Sequence, residues 1–443
     1  MKKKILGVAL LGFAVAALAG CNKTDDGSII LLNFKPEIQD KWGEIQQAVK
    51  DELGFELKVS TAASGQYEST LRSTISTDKS PAIFQISGLV GYKNWEKYVS
   101  DLDGAEVTKA LLNDSLALKV DGKTKAIPVT EEGYGIIYNK AIADRYFQLE
   151  GHVANVNSMD DVKSYATLKA VVEDMQAKKE QLGIEGVFCP SGLGSDDSWR
   201  ITGHTFNMAL IQEFGLMTSM PDEIQFSGAT QYRNLIDLYV KNSTVSNTAM
   251  VDTTQTDSFK YFQDGKTLMV QNGQWATSGL TGKGAKAEDL RFLPLYCGLT
   301  NEAYPENKQG ICIGTEAYWC VNSKLSEKKQ ENAKKFLNWL FNGNGEKYVV
   351  SKLGFNAPFK DFASKAELAQ TDPLVKEVTA WMAKKDVTNL PWNFAFVPDT
   401  DNQRTDLVNS LKKYYNDKYS DATWNALVES AKTTWKKLAA ATK

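Results

Sequence analysis

Residues 29–59 read IILLNFKPEIQDKWGEIQQAVKDELGFELKV. An apolar run opens the stretch, and a proline ends it. Trp42, Ile45, Val49 and Leu53 then recur at helical spacing, and after Gly54 comes a second apolar run, FELKVSTA. That is strand, helix, strand. Leu71 and Ile75 suggest a further helix, and PAIFQIS (81–87) reads as a third, buried strand. The order βαβαβ predicts a mostly parallel sheet with helices on both faces. A second series of strands begins at YGIIYN (134–139) and continues through GIEGVFC (183–189) and TLMVQN (267–272). Beyond Leu325 the chain is mainly helical, with EKKQENAKKFLNWLF, DPLVKEVTAWMA, TDLVNSLKKYYN and ATWNALVESAKTTWKKLA. No repeat of 20–50 residues is visible, which argues against solenoids and propellers. A chain of 443 residues exceeds one ordinary core, so two domains are expected. Ligands of open α/β sheets bind beyond the carboxyl ends of the strands. Here that means just after Phe34, Ile86, Ile127, Cys189, Asn272 and Ile313.

The N-terminus is a targeting device. MKKK precedes an apolar run too short to span a bilayer, and Leu18-Ala19-Gly20-Cys21 follows. Small residues before a cysteine resemble the bacterial lipobox, so residues 1–21 are expected to be a lipoprotein signal peptide. Cys21 would be the lipidated new N-terminus and residues 22–27 a polar tether. Four cysteines remain, Cys189, Cys297, Cys312 and Cys320, with no metal spacing among them. Disulfides and buried free thiols both stay open. A net charge of −3 and no basic run beyond the first residues offer no footprint for nucleic acid.

Enzymatic signatures are few. With two histidines, His152 and His204, a multi-histidine metal centre is excluded. No zincin, nucleophile-elbow, Walker or dinucleotide-binding motif occurs, and neither a metal nor a cofactor is expected. PSGLGSDD (190–197) reads as a polar loop. Glu131 and Glu132, at a strand end, are the one carboxylate pair to weigh for glycoside hydrolysis. No eightfold strand–helix repeat accompanies them.

Six segments, in order, resemble the solute-binding proteins of carbohydrate ABC importers, the group containing the maltose-binding protein (solute-binding protein family 1). Residues 29–59 resemble its opening strand, helix and strand. PAIFQIS resembles its third strand, with Ala82 where aspartate is usual. GKTKAIPVTEEGYGIIYNKAI (122–142) resembles the first crossover between lobes. FQDGKTLMVQNGQW (262–275) follows the family's F-x-x-G-K-x-A-M-x-x-N-G-x-W pattern, with Leu268 in place of alanine. GICIGTEAYWCVNSKLSEKKQENAKKFLNWLF resembles the second crossover and its helix. LGFNAPFKD resembles the G-x-x-P turn, with one extra residue between Gly354 and Pro358. The resemblance implies an α/β fold: a two-lobed, periplasmic-binding-protein-like type II fold with hinge crossovers and a ligand cleft between lobes. The first lobe would hold 28–130 plus 318–352, the second 135–312 plus 358–443. It implies a monomeric, non-enzymatic receptor, lipid-anchored to the outer face of a bacterial membrane, that delivers a carbohydrate to ABC permease subunits. The alternatives are a glycan-processing lipoprotein enzyme, or the same scaffold binding a peptide, polyamine or phosphate ester.

A sugar presents hydroxyl rims to planar polar groups and C–H faces to aromatic rings. Of the ten tryptophans, Trp42, Trp339, Trp381, Trp424 and Trp435 lie on apolar helix stripes and are read as core; Trp95 is undecided. Trp275, Trp319 and Trp392 lie at turns or crossovers and are read as ligand platforms, with hinge packing the alternative for the last two. In 262–275 the expected order is a turn at Asp264-Gly265, a buried strand, a turn at Asn272-Gly273, then Trp275. Glu132 and Glu131 fall in the first crossover, where relatives carry a ligand-binding carboxylate. Lys35 and Glu37 follow the first strand, and Gln85 and Ser87 end the third. Trp199, His204 and Asn207 lie in a segment resembling one that enters the family's cleft, though His204 would equally fill a helix. Asn272 completes the candidate ligand-binding set.

Overall fold

The computed structural model describes residues 25–189, 192–194, 197–245, 247–315 and 317–442. Residues 1–21, Cys21 among them, and the first half of the tether, 22–24, lie outside the described residues, as does part of the 190–197 loop.

Among the described residues, twelve strands form two sheets. The first holds β1 (Ile29–Asn33), β2 (Leu57–Thr61), β3 (Ile83–Ser87), β4 (Leu118–Val120), β5 (Lys123–Pro128) and β11 (Ala317–Val321), in the order β2-β1-β3-β11-β5-β4. The second holds β6 (Glu132–Asn139), β7 (Gly186–Phe188), β8 (Thr267–Gly273), β10 (Gln309–Gly314) and β12 (Thr388–Leu390), in the order β12-β10-β6-β8-β7, with β9 (Leu290–Leu293) also paired to β6. Each sheet carries its own cores, so the molecule is two-lobed. In the first lobe Trp42, Ile45 and Val49 bury one face of helix Trp42–Leu53, which ends at Gly54 in the left-handed region (φ 76). The helices Thr400–Asn416 and Asp421–Thr442 pack Leu407, Trp424 and Trp435 into the second lobe. All five tryptophans read as core are buried, and Trp95 joins them, donating Nε1–H to Glu68.

The expectation of a mostly parallel sheet holds for β1, β2 and β3, while in the second sheet parallel pairing is confined to the edges, β7 with β8 and β12 with β10. β11 runs antiparallel to β3 and β5, and β6 antiparallel to β8, β9 and β10. The reason is the crossover. β5 continues through 129–131 directly into β6, and β10 returns through Thr315 to β11, without the helical return that a parallel pair needs. The two crossovers are laced by Val129 N–H to Ala317 O (3.0 Å) and by Thr315 Oγ1 to Thr130 O (3.1 Å). A third passage leads from Phe359, in the first lobe's core, to Leu374, in the second's.

Two further expectations change, and the open question of the cysteines is answered. Asn272-Gly273 is not a turn: Gly273 closes β8 in extended geometry (φ −116, ψ 178). Its glycine is needed for space, since a Cβ there would lie 2.1 Å from Cη2 of Trp275. Gly265 does turn, at φ 69. Trp319 is no platform: it is fully buried in the first lobe's core, because alternation along β11 turns Tyr318, not Trp319, toward the other face. The four cysteines are buried free thiols rather than disulfides.

Gly273→Ala is therefore expected to lower the thermal unfolding midpoint, at an overpacking cost of about 1–3 kcal/mol. Gly43→Ala is the control, in helix Trp42–Leu53 with open space at its Cβ position. It should leave the midpoint unchanged or raise it.

Candidate functional site

The site is built from the end of β1 outward. Asn33 is fully buried and clamps the backbone of Lys35: its Nδ2 donates to Lys35 O (2.6 Å) and to Thr61 Oγ1 (3.1 Å), and its Oδ1 accepts from Lys35 N–H (3.2 Å). Pro36 opens a short 3-10 helix that fixes the exit of the loop. So held, Lys35 sends its ammonium out of the first lobe. Nζ lies 2.7 Å from Oε1 of Glu132, the first residue of β6, and 3.6 Å from Glu37 Oε1. It also stands 5.5 Å from the ring centre of Trp275. Lys35 and Glu132 are only 7% and 8% exposed, so this ion pair between lobes is largely out of water. Burial raises the pKa of Glu132 against the lowering effect of the Lys35 ammonium, and burial alone raises that of Glu131.

Trp275 continues into a band of rings. It meets Trp199 at 6.0 Å and His204 edge-on at 5.6 Å. His204 stacks flat on Tyr134 at 3.8 Å and stands 6.3 Å from Trp392, which packs on Phe394 at 5.2 Å. His204 is delivered by a π-helical stretch, Arg200–Thr205. Burial, helped by nearby Arg200, pushes its imidazole pKa well below the usual value, so the ring is neutral. Its Nδ1 accepts from Gln271 Nε2 at 3.1 Å. Arg200 is fully buried, paired with Asp197 (2.7 Å) and set over the rings of Trp199 and Phe259.

Lys35, Glu37, Glu132 and Trp275 line a cavity of about 180 Å³ between the lobes, closed by Phe355 and Asp372. Trp199 and His204 stand behind Trp275, and Trp392 begins the far end of the ring band. Glu131 lies beside them on the crossover, its N–H donating to Asn356 O. Ser87 is half-buried at the end of β3. Three more expected ligand contacts are buried inside the lobes, with the amide nitrogens of Gln85 and Asn272 left without a protein partner. Gln85 Oε1 accepts from Phe34 N–H, joining β3 to the end of β1. Asn272 is fully buried, and its Oδ1 accepts from Gly273 N–H. Asn207 accepts from Asn393 and Phe394 N–H (2.7 and 3.2 Å) and donates to Pro391 O (2.9 Å). Asn207 therefore holds the Trp392 turn in place instead of facing the cleft.

Asn33, Tyr134 and Arg200 escape the sequence reading. An asparagine after a strand signals a turn in general, and a tyrosine inside β6 or an arginine in an apolar segment carries no local sign of its partner.

The sequence model of the bacterial extracellular solute-binding protein family matches residues 44–377. Among solved structures, RafE, determined in complex with raffinose, is 17% identical over 93% of this chain and 99% of its own, with a TM-score of 0.67. A chitin oligosaccharide binding protein is 14% identical over 94% and 100%, with a TM-score of 0.67. The maltose/maltodextrin-binding domain MalE of Bdellovibrio bacteriovorus, bound to maltotriose, is 15% identical over 93% and 99%, with a TM-score of 0.61. At these identities the structural likeness establishes the two-lobed fold. With the sequence match spanning most of the chain, it follows that this protein belongs to the bacterial extracellular solute-binding protein family.

Proposed function

We propose that the protein captures a carbohydrate, an oligosaccharide rather than a monosaccharide, in the interlobe cleft and delivers it to the permease of an ABC importer. It does so as a monomer tethered to the outer face of the membrane through lipidated Cys21. One observation carries the reading. The buried Lys35–Glu132 pair joins the two lobes with exposed Glu37 beside it, the Lys35 ammonium stands over the ring of Trp275, and further rings extend from there. Hydroxyl rims suit the charged groups and C–H faces the rings. The oligosaccharides bound by the relatives named above support the same class. Because the pair draws on both lobes, a ligand that engages it favours the closed arrangement over the open one.

Affinity in the micromolar range, about −8 kcal/mol, is expected for at least one member of a panel of raffinose, maltotriose, xylo-oligosaccharides and chito-oligosaccharides. The readouts are tryptophan fluorescence and thermal shift, with no product by chromatography. Saturable binding without turnover supports the receptor; turnover of a glycan, or no binding across the panel, contradicts it. Trp275→Ala should weaken that binding at least tenfold in a folded protein.

The Asn207 hydrogen bonds give a separate expectation. Asn207→Ala should weaken binding of the same sugar by loosening the Trp392 turn, and Asn207→Asp, which replaces the donor to Pro391 O with a buried carboxylate, should weaken it at least as much. Unchanged affinity in both folded variants would show that the Asn207 bonds do not hold that turn for the ligand.

A further inference from the structure

A second cavity at the interlobe boundary is the larger, about 570 Å³ against about 180 Å³ beside Trp275. Small-molecule sites run to roughly 300–1,000 Å³, so the second has ligand size and the first alone does not. Leu89 and Tyr318 line it from the first lobe, and Leu216, Trp392 and Phe396 from the second. Leu89 (37% exposed) and Leu216 (59%) are two of only four large apolar side chains left exposed among the described residues. Both stand at this one cavity, on opposite lobes.

The polar side chains around it are largely committed elsewhere. Asn393 donates to Gly215 O (2.6 Å) and accepts from Met217 N–H (3.0 Å). The Thr315 hydroxyl donates to Thr130 O, and Lys119 is ion-paired with Asp114. A ring of sugar hydroxyls needs several free planar partners, which this lining lacks. What it offers is apolar surface and one buried donor with no protein partner, Nε1 of Trp392. Both cavities open at the boundary between the lobes, and Trp392, lining this one, stands 6.3 Å from His204, which meets Trp275 of the first at 5.6 Å.

We propose that this second cavity receives an apolar, ring-bearing group of the ligand. If the carbohydrate reading holds, on which this part rests, that group is the aglycone of a glycoside whose sugar lies against Trp275 and the Lys35–Glu132 pair. The sugar supplies hydroxyls where the charged groups are. The aglycone replaces water against Leu89, Leu216, Tyr318 and Phe396, where hydroxyls would go unpaired.

The test has two arms. In the first, the neutral apolar fluorophore N-phenyl-1-naphthylamine is titrated into the purified protein. Saturable binding at one site is expected. Leu216→Asp and, from the other lobe, Leu89→Asp should each weaken it at least tenfold, while Met382→Asp, at an exposed apolar side chain that does not line the cavity, leaves it within about twofold. Both leucines are exposed, so the variants should stay folded, as circular dichroism would verify. Absence of saturable binding, or indifference to both substitutions, overturns the proposal. In the second arm, phenyl and methyl β-glycosides of glucose, galactose, xylose and N-acetylglucosamine are compared. For any sugar that binds, the phenyl glycoside should bind at least tenfold tighter, and Leu216→Asp should erase the difference. Equal affinities overturn the aglycone assignment. If neither these glycosides nor any oligosaccharide of the panel above binds while the fluorophore behaves as expected, the carbohydrate reading fails and the apolar site stands.

Discussion

The buried ion pair between Lys35 and Glu132 is the contact on which the arrangement of the lobes turns. One partner follows the first strand of the first sheet, and the other begins the strand that enters the second. Two charges taken out of water are costly to leave alone, and removing one partner of such a pair typically costs about 3–5 kcal/mol. The pair is therefore a weak source of net stability but a strong determinant of geometry: it is satisfied only when the lobes stand as they do here. A ligand entering beside Trp275 must either add to that hydrogen-bonding cluster or displace the ammonium from it. Either way, ligand occupancy and lobe position are coupled by differential contacts.

The rest of the fold serves to place these few groups. Straight crossovers bring β5 into β6 and β10 into β11, so the strand ends of both lobes face one gap. The Asn33 clamp aims Lys35, and the extended Gly273 lets the indole of Trp275 lie back over its own strand. Asn207 ties the Trp392 turn to helix Phe206–Phe214. Each aligns a side chain of the candidate site from within a lobe. Such prealignment reduces what binding must spend on ordering side chains.

Much of this was legible in the sequence, for identifiable reasons. Helices with apolar stripes, such as Trp42–Leu53, and the parallel strands β1 to β3 follow from local periodicity, which tertiary context leaves intact. Lys35, Glu132 and Trp275 could be singled out because strand ends and crossovers are where such folds place ligands. That Lys35 and Glu132 bond to each other was not legible, since they are separated by 97 positions and neither flank records the other. Trp319 and Asn207 were misread because facing depends on register. One step along β11 separates the core from the cleft side, and Asn207 finds its partners in a segment far along the chain. The antiparallel pairing of the second sheet was hidden for a similar reason: strand direction is set by crossovers, whose paths the periodicity of each strand does not encode.

That the Lys35–Glu132 pair holds the lobes in register is tested most directly by small-angle X-ray scattering of the ligand-free protein and its charge variants. Lys35→Glu should set two carboxylates against each other and enlarge the radius of gyration. The exchanged pair, Lys35→Glu with Glu132→Lys, should return it toward the parent value. A single variant as compact as the parent, or an exchanged pair that stays expanded, would contradict a role for this contact in holding the cleft closed.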